Sequence, residues 1–154
     1  MNSYKTVLIT GSSKNLGAYL TKYYLNKEFR VIGISKKSKS EINKNTFLCD
    51  LSSEKKTLVL FKKLKKKYQK IYLIISCAGA SKKTFNKSEA MKDWSFALDN
   101  NFFCFTNLLD SYTKIYKKKP TKIIVISSIA SDKITKAPIT YSVAKNSLNF
   151  YCKY

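Results

Sequence analysis

Five short apolar blocks, each closed by small or polar residues, set the tightest limit on what this chain can fold into. Residues 5–10 run unbroken to Gly11-Ser12-Ser13, and residues 29–34 lead to Ser35-Lys36. Residues 46–49 stop at Asp50, residues 71–75 at Ser76-Cys77-Ala78-Gly79, and residues 122–126 at Ser127-Ser128. A block built on a continuous apolar run, without polar alternation, has no solvent face, so these read as strands of a buried parallel sheet. The segments between them carry helical spacing. Leu16, Tyr19, Leu20, Tyr23 and Tyr24 mark a helix over about residues 15–28, and Leu58, Phe61, Leu64 and Tyr68 one over about residues 54–69. Ser52 or Ser53 is placed to cap the second of these. Residues 89–116 read as one long helix that Pro120 helps to end, and a last helix begins near Tyr141. Strand and helix alternate throughout. That pattern predicts a single doubly wound α/β domain over residues 1–154, its sheet parallel and covered on both faces. Ligands of such sheets lie beyond the carboxyl ends of the strands, where the small and polar residues stand.

Composition narrows the class. A hydrophobic fraction of 44% over 154 residues is enough for a core and argues against disorder. The formal net charge of +21 is carried by lysine in runs such as Lys65-Lys66-Lys67 and Lys117-Lys118-Lys119. These runs fall at predicted helix ends, where solvated lysine suits the helix dipole. No nucleic-acid recognition motif accompanies them, so no nucleic-acid partner is expected. The N-terminal residues lack a signal-peptide layout and the apolar runs are far too short to span a bilayer, so a cytoplasmic protein without a membrane partner is expected. Four cysteines and no histidine, with no Cys-x-x-Cys pair, give no metal site and read as buried thiols in a reducing compartment.

The loop between the first strand and the first helix is Thr10-Gly11-Ser12-Ser13-Lys14-Asn15-Leu16-Gly17. Gly11 permits a tight turn, Gly17 lets the helix lie close to the sheet, and free N–H groups at the helix start can hold a pyrophosphate. The stretch resembles the Thr-Gly-x-x-x-Gly-x-Gly loop of short-chain dehydrogenases/reductases of the simple type. Asn15 replaces the middle glycine, and asparagine is the residue that best tolerates a positive φ after glycine. NDP-sugar epimerases space their glycines differently, and Lys14 occupies a position that their pattern needs as glycine. The resemblance implies a Rossmann-like fold and a nicotinamide dinucleotide held by Gly11, Ser13, Lys14, Asn15, Leu16 and Gly17. NAD-selective members place an acid at the end of the second strand. Here Ser35, Lys36 and Lys37 follow that strand, and with Lys14 they favour NADP(H) over NAD(H). Asp50, with Leu51, matches the adenine-contacting acid of the family. Cys77, Ala78 and Gly79 stand where the family has Asn-Ala-Gly.

Tyr141 and Lys145 are four apart on a helix and share a face, so both can also touch the cofactor. The lysine ammonium can lie near the phenol and the cofactor ribose, where it can favour phenolate and make the tyrosine a usable proton donor or acceptor. By itself the pair means little, because Tyr23 and Lys27 match the same spacing in a chain with 11 tyrosines. Position distinguishes them. Ser128 ends the fifth strand at the ligand edge, at the family's usual interval from the tyrosine, and its hydroxyl can donate to a substrate carbonyl. Asn101 lines up with the asparagine that completes the family's catalytic tetrad through a water leading to the lysine. The set of Ser128, Tyr141, Lys145 and Asn101 implies an oxidoreductase moving hydride between NADP(H) and a small carbonyl or alcohol substrate. The resemblance covers about three-fifths of the family's usual length, leaving out its sixth and seventh strands and its substrate loop. A remnant that binds nucleotide without turnover is therefore the alternative. Family members pair the helices bearing Asn101 and Tyr141 into homo-oligomers, a contact that a shortened last helix would weaken.

Overall fold

The computed structural model of the chain describes residues 5–38, 40–82, 89–117 and 122–154. Its five strands are β1 (Thr6–Thr10), β2 (Arg30–Ser35), β3 (Thr46–Leu48), β4 (Leu73–Ser76) and β5 (Lys122–Val125). They form one sheet in the order β3-β2-β1-β4-β5, every neighbouring pair parallel. Between the strands run α1 (Asn15–Asn26), α2 (Glu54–Lys67), α3 (Met91–Leu98) and α4 (Cys104–Tyr116); α5 (Ile139–Tyr151) follows β5. The chain winds outward from β1 to β3, then returns to lay β4 on the other side of β1. The crevice where the winding reverses lies at the carboxyl ends of β1 and β4.

Alternation along each strand divides the core in two. Leu8, Ile32, Ile34 and Ile74 face Phe61 and Leu64 of α2 and Leu108 and Tyr112 of α4. Val7, Ile9, Val31, Leu73 and Ile75 face the other way, against Leu20, Tyr24 and Leu25 of α1. Side chains one residue apart point to opposite faces, so a continuous apolar run such as Val7-Leu8-Ile9 feeds both clusters. Phe61 meets Tyr112 and Tyr116 edge-on at 6.3 and 6.5 Å. The Tyr116 hydroxyl donates to the Tyr68 carbonyl at 3.0 Å, so its polar end is satisfied inside the core.

Several expectations need correction. β5 is an edge strand whose Ile123, Ile124 and Val125 are only partly buried, so its apolar character does not mark a strand covered on both sides. Residues 89–116 are not one helix. A five-residue π-helical segment, Asp99–Phe103, separates α3 from α4, and α3 begins at Met91 rather than at residue 89. The cap of α2 is Ser53, whose hydroxyl accepts from the Lys56 N–H at 3.4 Å. Ser52 is used elsewhere, donating to Asp50. Pro120 lies outside the described residues; α4 ends on Lys117 in a left-handed conformation, φ 51°. Cys152 is exposed rather than buried. Among the described residues no helix is long and apolar enough to cross a membrane.

Candidate functional site

The loop after β1 is built by close backbone approach. Gly11 takes φ 65°, and a Cβ there would meet the Cys77 carbonyl oxygen at 3.0 Å. A Cβ on Gly17 would overlap the Gly11 carbonyl, so only glycine lets α1 start this close to the turn. Asn15 adopts φ 47°, the left-handed conformation its amide side chain tolerates. Lys14, Asn15 and Leu16 stand exposed over the first turn of α1, where N–H groups lack partners within the helix. Ser13 and Ser35 join hydroxyl to hydroxyl at 2.8 Å, which ties the loop to the end of β2. Thr10, which opens the loop motif, has a role that its sequence position does not show: its hydroxyl accepts from the N–H groups of Cys77 and Ala78 at 3.1 and 3.0 Å. It fastens the ends of β1 and β4 together. That anchor stands beside the segment where the family's asparagines are absent.

Beside this loop opens a cleft of about 170 Å³, lined among others by Gly11, Ser35, Asp50, Leu51, Ala78 and Gly79. Lys36 reaches over it, its Nζ 3.0 Å from Asp50 Oδ2 and 3.3 Å from the Asn100 side-chain oxygen. Lys14, Lys36 and Lys37 are all exposed, and of the three Lys36 is bridged to a carboxylate. Burial works to raise the Asp50 carboxyl, but hydrogen bonds from Ser52 and Lys36 outweigh it and hold Asp50 below the ordinary carboxylate value. Behind Asp50, Asn107 donates to the carbonyls of Leu51 and Ser52 at 3.0 Å each. This second anchor has no local sequence signal, because its partners lie more than fifty residues away.

The second half of the site meets the cleft at Gly79. A Cβ placed on Gly79 would lie 2.9 Å from Asn101 Oδ1 and 3.4 Å from Lys145 Nζ. Lys145 is only 4% exposed, and its ammonium donates to the Ile126 carbonyl at the end of β5 at 3.0 Å. Its Nζ lies 6.0 Å from the centre of the Tyr141 ring. Burial pulls Lys145 below the usual lysine value, against the opposing pull of the thiols of Cys104 and Cys77. Burial in turn pushes the Cys77 thiol up to about 11 despite the nearby lysine. Asn101 is fully committed to backbone: its amide donates to the carbonyls of Ala80 (2.7 Å) and Ala97 (2.9 Å) and accepts from the Ala80 N–H (3.2 Å). The π-helical segment makes this possible by turning Asn101 toward the strand end. There the Cys104 N–H bonds to the Asp99 carbonyl, and the Cys104 thiol takes the Asn100 carbonyl instead, at 3.0 Å. Ser128 ends the strand side, half-buried, its hydroxyl accepting from the Ala130 N–H at 3.2 Å. Tyr23, of the competing Tyr/Lys pair, is 46% exposed on α1 and packs edge-on against Tyr24.

A family model described as short chain dehydrogenase matches residues 5–153. The chain belongs to the short chain dehydrogenase family. Among curated proteins it is similar to the benzil reductase ((S)-benzoin forming) of Saccharomyces cerevisiae, 26% identical over 96% of this chain and 63% of that protein. Its fold is similar to that of the Leptospira borgpetersenii short chain dehydrogenase with bound NAD+, with a TM-score of 0.89 and 23% identity, covering 98% of this chain and 64% of that one. The Gluconobacter frateurii L-sorbose reductase complexed with NADPH and L-sorbose gives a TM-score of 0.86 at 15% identity, over 98% and 62% of the two chains. The chain therefore spans less than two-thirds of the length of these family members. The two structural neighbours are complexes with different nicotinamide cofactors.

The residues present fit a dinucleotide in this family's manner. The Gly11–Gly17 contact leaves open backbone at a helix N-terminus for phosphate, and the adjoining cleft of about 170 Å³, part apolar and lined by Asp50, has room for part of a dinucleotide rather than the whole. Among the described residues no group of acids and cysteines could hold a metal ion.

Proposed function

We propose that residues 1–154 form a single NADP(H)-binding, Rossmann-like catalytic domain that interconverts a small carbonyl compound and its alcohol. The observation that carries this reading is Lys145. A buried ammonium is costly, and none of the ion pairs among the described residues includes it. A protein that keeps such a charge at the ligand edge of its sheet, beside a glycine and one helical turn from a tyrosine, is using it chemically.

When bound, the nicotinamide cofactor supplies hydride to a carbonyl carbon or takes it from an alcohol. The chain's own residues do the rest. Ser128 donates its hydroxyl hydrogen to the substrate oxygen and fixes its direction. Tyr141 gives its phenolic proton to that oxygen as charge develops there, or removes it in the reverse direction. Lys145 favours the phenolate left behind, and its remaining N–H donors would serve to hold the ribose. Asn101 holds residue 80 and the lysine side of the cleft in register, in support of proton relay. Gly11, Ser13, Lys14, Asn15, Leu16 and Gly17 take the pyrophosphate, and Asp50 with Leu51, Cys77, Ala78 and Gly79 takes the adenosine end. The absence of an acid at Ser35, together with Lys14, Lys36 and Lys37, favours a 2′-phosphate on the ribose. Free thiols at Cys49, Cys77 and Cys104 suit a reducing, cytoplasmic setting.

The test is turnover. Purified protein should oxidise NADPH with a panel of small ketones, and Tyr141→Phe should lose roughly 10²- to 10⁴-fold in rate while still binding cofactor. Binding of NADPH without turnover on any carbonyl would leave nucleotide binding alone. Equal turnover in Tyr141→Phe would remove the tyrosine from the mechanism.

A further inference from the structure

The helix that carries Tyr141 and Lys145 has no local cap. It starts after Pro138, which offers no side-chain acceptor, so the first N–H groups of α5 need a partner from elsewhere. That partner is Glu89. Its Oε1 accepts from the Ile139 N–H at 3.0 Å and its Oε2 from the Thr140 N–H at 2.9 Å, across fifty residues of sequence. One carboxylate thus takes two adjacent N–H groups with separate oxygens, at the end of the helix where the dipole favours negative charge. Tyr141 is the next residue. Lys145 lies one turn further on and has a second tether at Ile126.

We propose that Glu89 is a positioning residue that holds the first turn of α5 and through it sets the place of Tyr141. The proposal rests on the functional reading of Tyr141 given above. Glu89 also stands just ahead of α3, whose continuation bears Asn101. The clamp therefore joins the leading ends of the two helices that bring Asn101 and Tyr141 to the cleft. α3 and α5 cannot slide past one another without breaking it. Because Lys145 is held independently and the phosphate loop lies on other elements, release of Glu89 displaces Tyr141 and leaves cofactor binding largely intact.

The experiment uses the full chain with Glu89→Gln and Glu89→Ala. Amide exchange followed by NMR should quicken about tenfold at Ile139 and Thr140 in Glu89→Ala, the size expected for a lost helix cap. In Glu89→Gln, which keeps one oxygen acceptor, the change should be smaller. The Tyr141 ring signals should move in Glu89→Ala while those of Tyr19, on α1, stay. Turnover should fall about tenfold with the NADPH dissociation constant changed less than about twofold, a split that general loosening would not produce. Unchanged exchange at the two amides overturns the proposal, and so does a parallel loss of cofactor affinity and turnover. If the unaltered chain reduces no carbonyl, the functional reading fails by itself. Glu89 is then judged on exchange and the Tyr141 signals, and no change in either overturns its role.

Discussion

Lys145 puts a charge where the fold would be more stable without one. It is nearly fully buried, its ammonium has one carbonyl partner, and burial disfavours its protonated form. The native state therefore holds that proton less tightly than the unfolded chain does. The cost is present in full below the lowered Lys145 value and is relieved as pH rises toward the ordinary lysine value. Replacing the side chain by one of similar length removes the cost. Lys145→Met should raise thermal stability at neutral pH by roughly 1 kcal/mol, the lost hydrogen bond offsetting part of the gain, and it should abolish turnover. Thermal melts at pH 7 and pH 10 check this, since the variant's advantage should shrink at the higher pH. Residues whose role depends on their neighbours in sequence were legible beforehand: Asn15 takes the positive φ that a glycine-replacing asparagine suggests, and Gly11 and Gly17 meet at the turn. Thr10, Glu89 and Asn107 were not. Each acts on backbone groups fifty or more residues away, and nothing in local composition signals a partner at that range.

At the scale of elements, solid apolar blocks alternating with helical spacing give the sheet and its order of winding, because local periodicity reports burial directly. The interruption between α3 and α4 escaped, since a π segment keeps nearly the same apolar spacing as an α-helix and adds only one residue to a turn. That extra residue matters for Asn101. With α4 packed on α2, the insertion sets how far α3 is rotated and hence where the Asn101 amide points. Deleting the partly exposed Phe103 would turn the Asp99-to-Cys104 bond into an ordinary helical one and rotate α3 by about 100° relative to α4. The deletion variant should keep its helix content by circular dichroism yet lose NADPH binding, as Asn101 leaves Ala80. Retained binding would show that the π segment is not what sets the cleft.

The molecule as a whole carries +21 charges on a fold with few acids to offset them. Mutual repulsion among surface lysines opposes the compact state, and salt screens it. The midpoint of thermal unfolding should therefore climb by several degrees between about 20 mM and 300 mM sodium chloride; a flat response would mean that the lysines are already compensated. Cofactor binding should run the other way and weaken with salt, because lysines meet phosphate. Whole-chain composition gave the size of this charge but not its arrangement: Lys36 bridges to Asp50 across the cleft, a contact visible only when β2 and β3 lie side by side. We propose that NADP(H) is held by the turn between Thr10 and Gly17 and by the cleft that reaches Gly79, beside Lys145. A fluorescence titration of the purified chain with NADPH and with NADH tests it most directly, with Gly17→Val as control. The account predicts saturable binding that is at least tenfold tighter for NADPH, about 1.4 kcal/mol for one added phosphate contact, and no binding in the control. Failure of the unaltered chain to bind either nucleotide would contradict it.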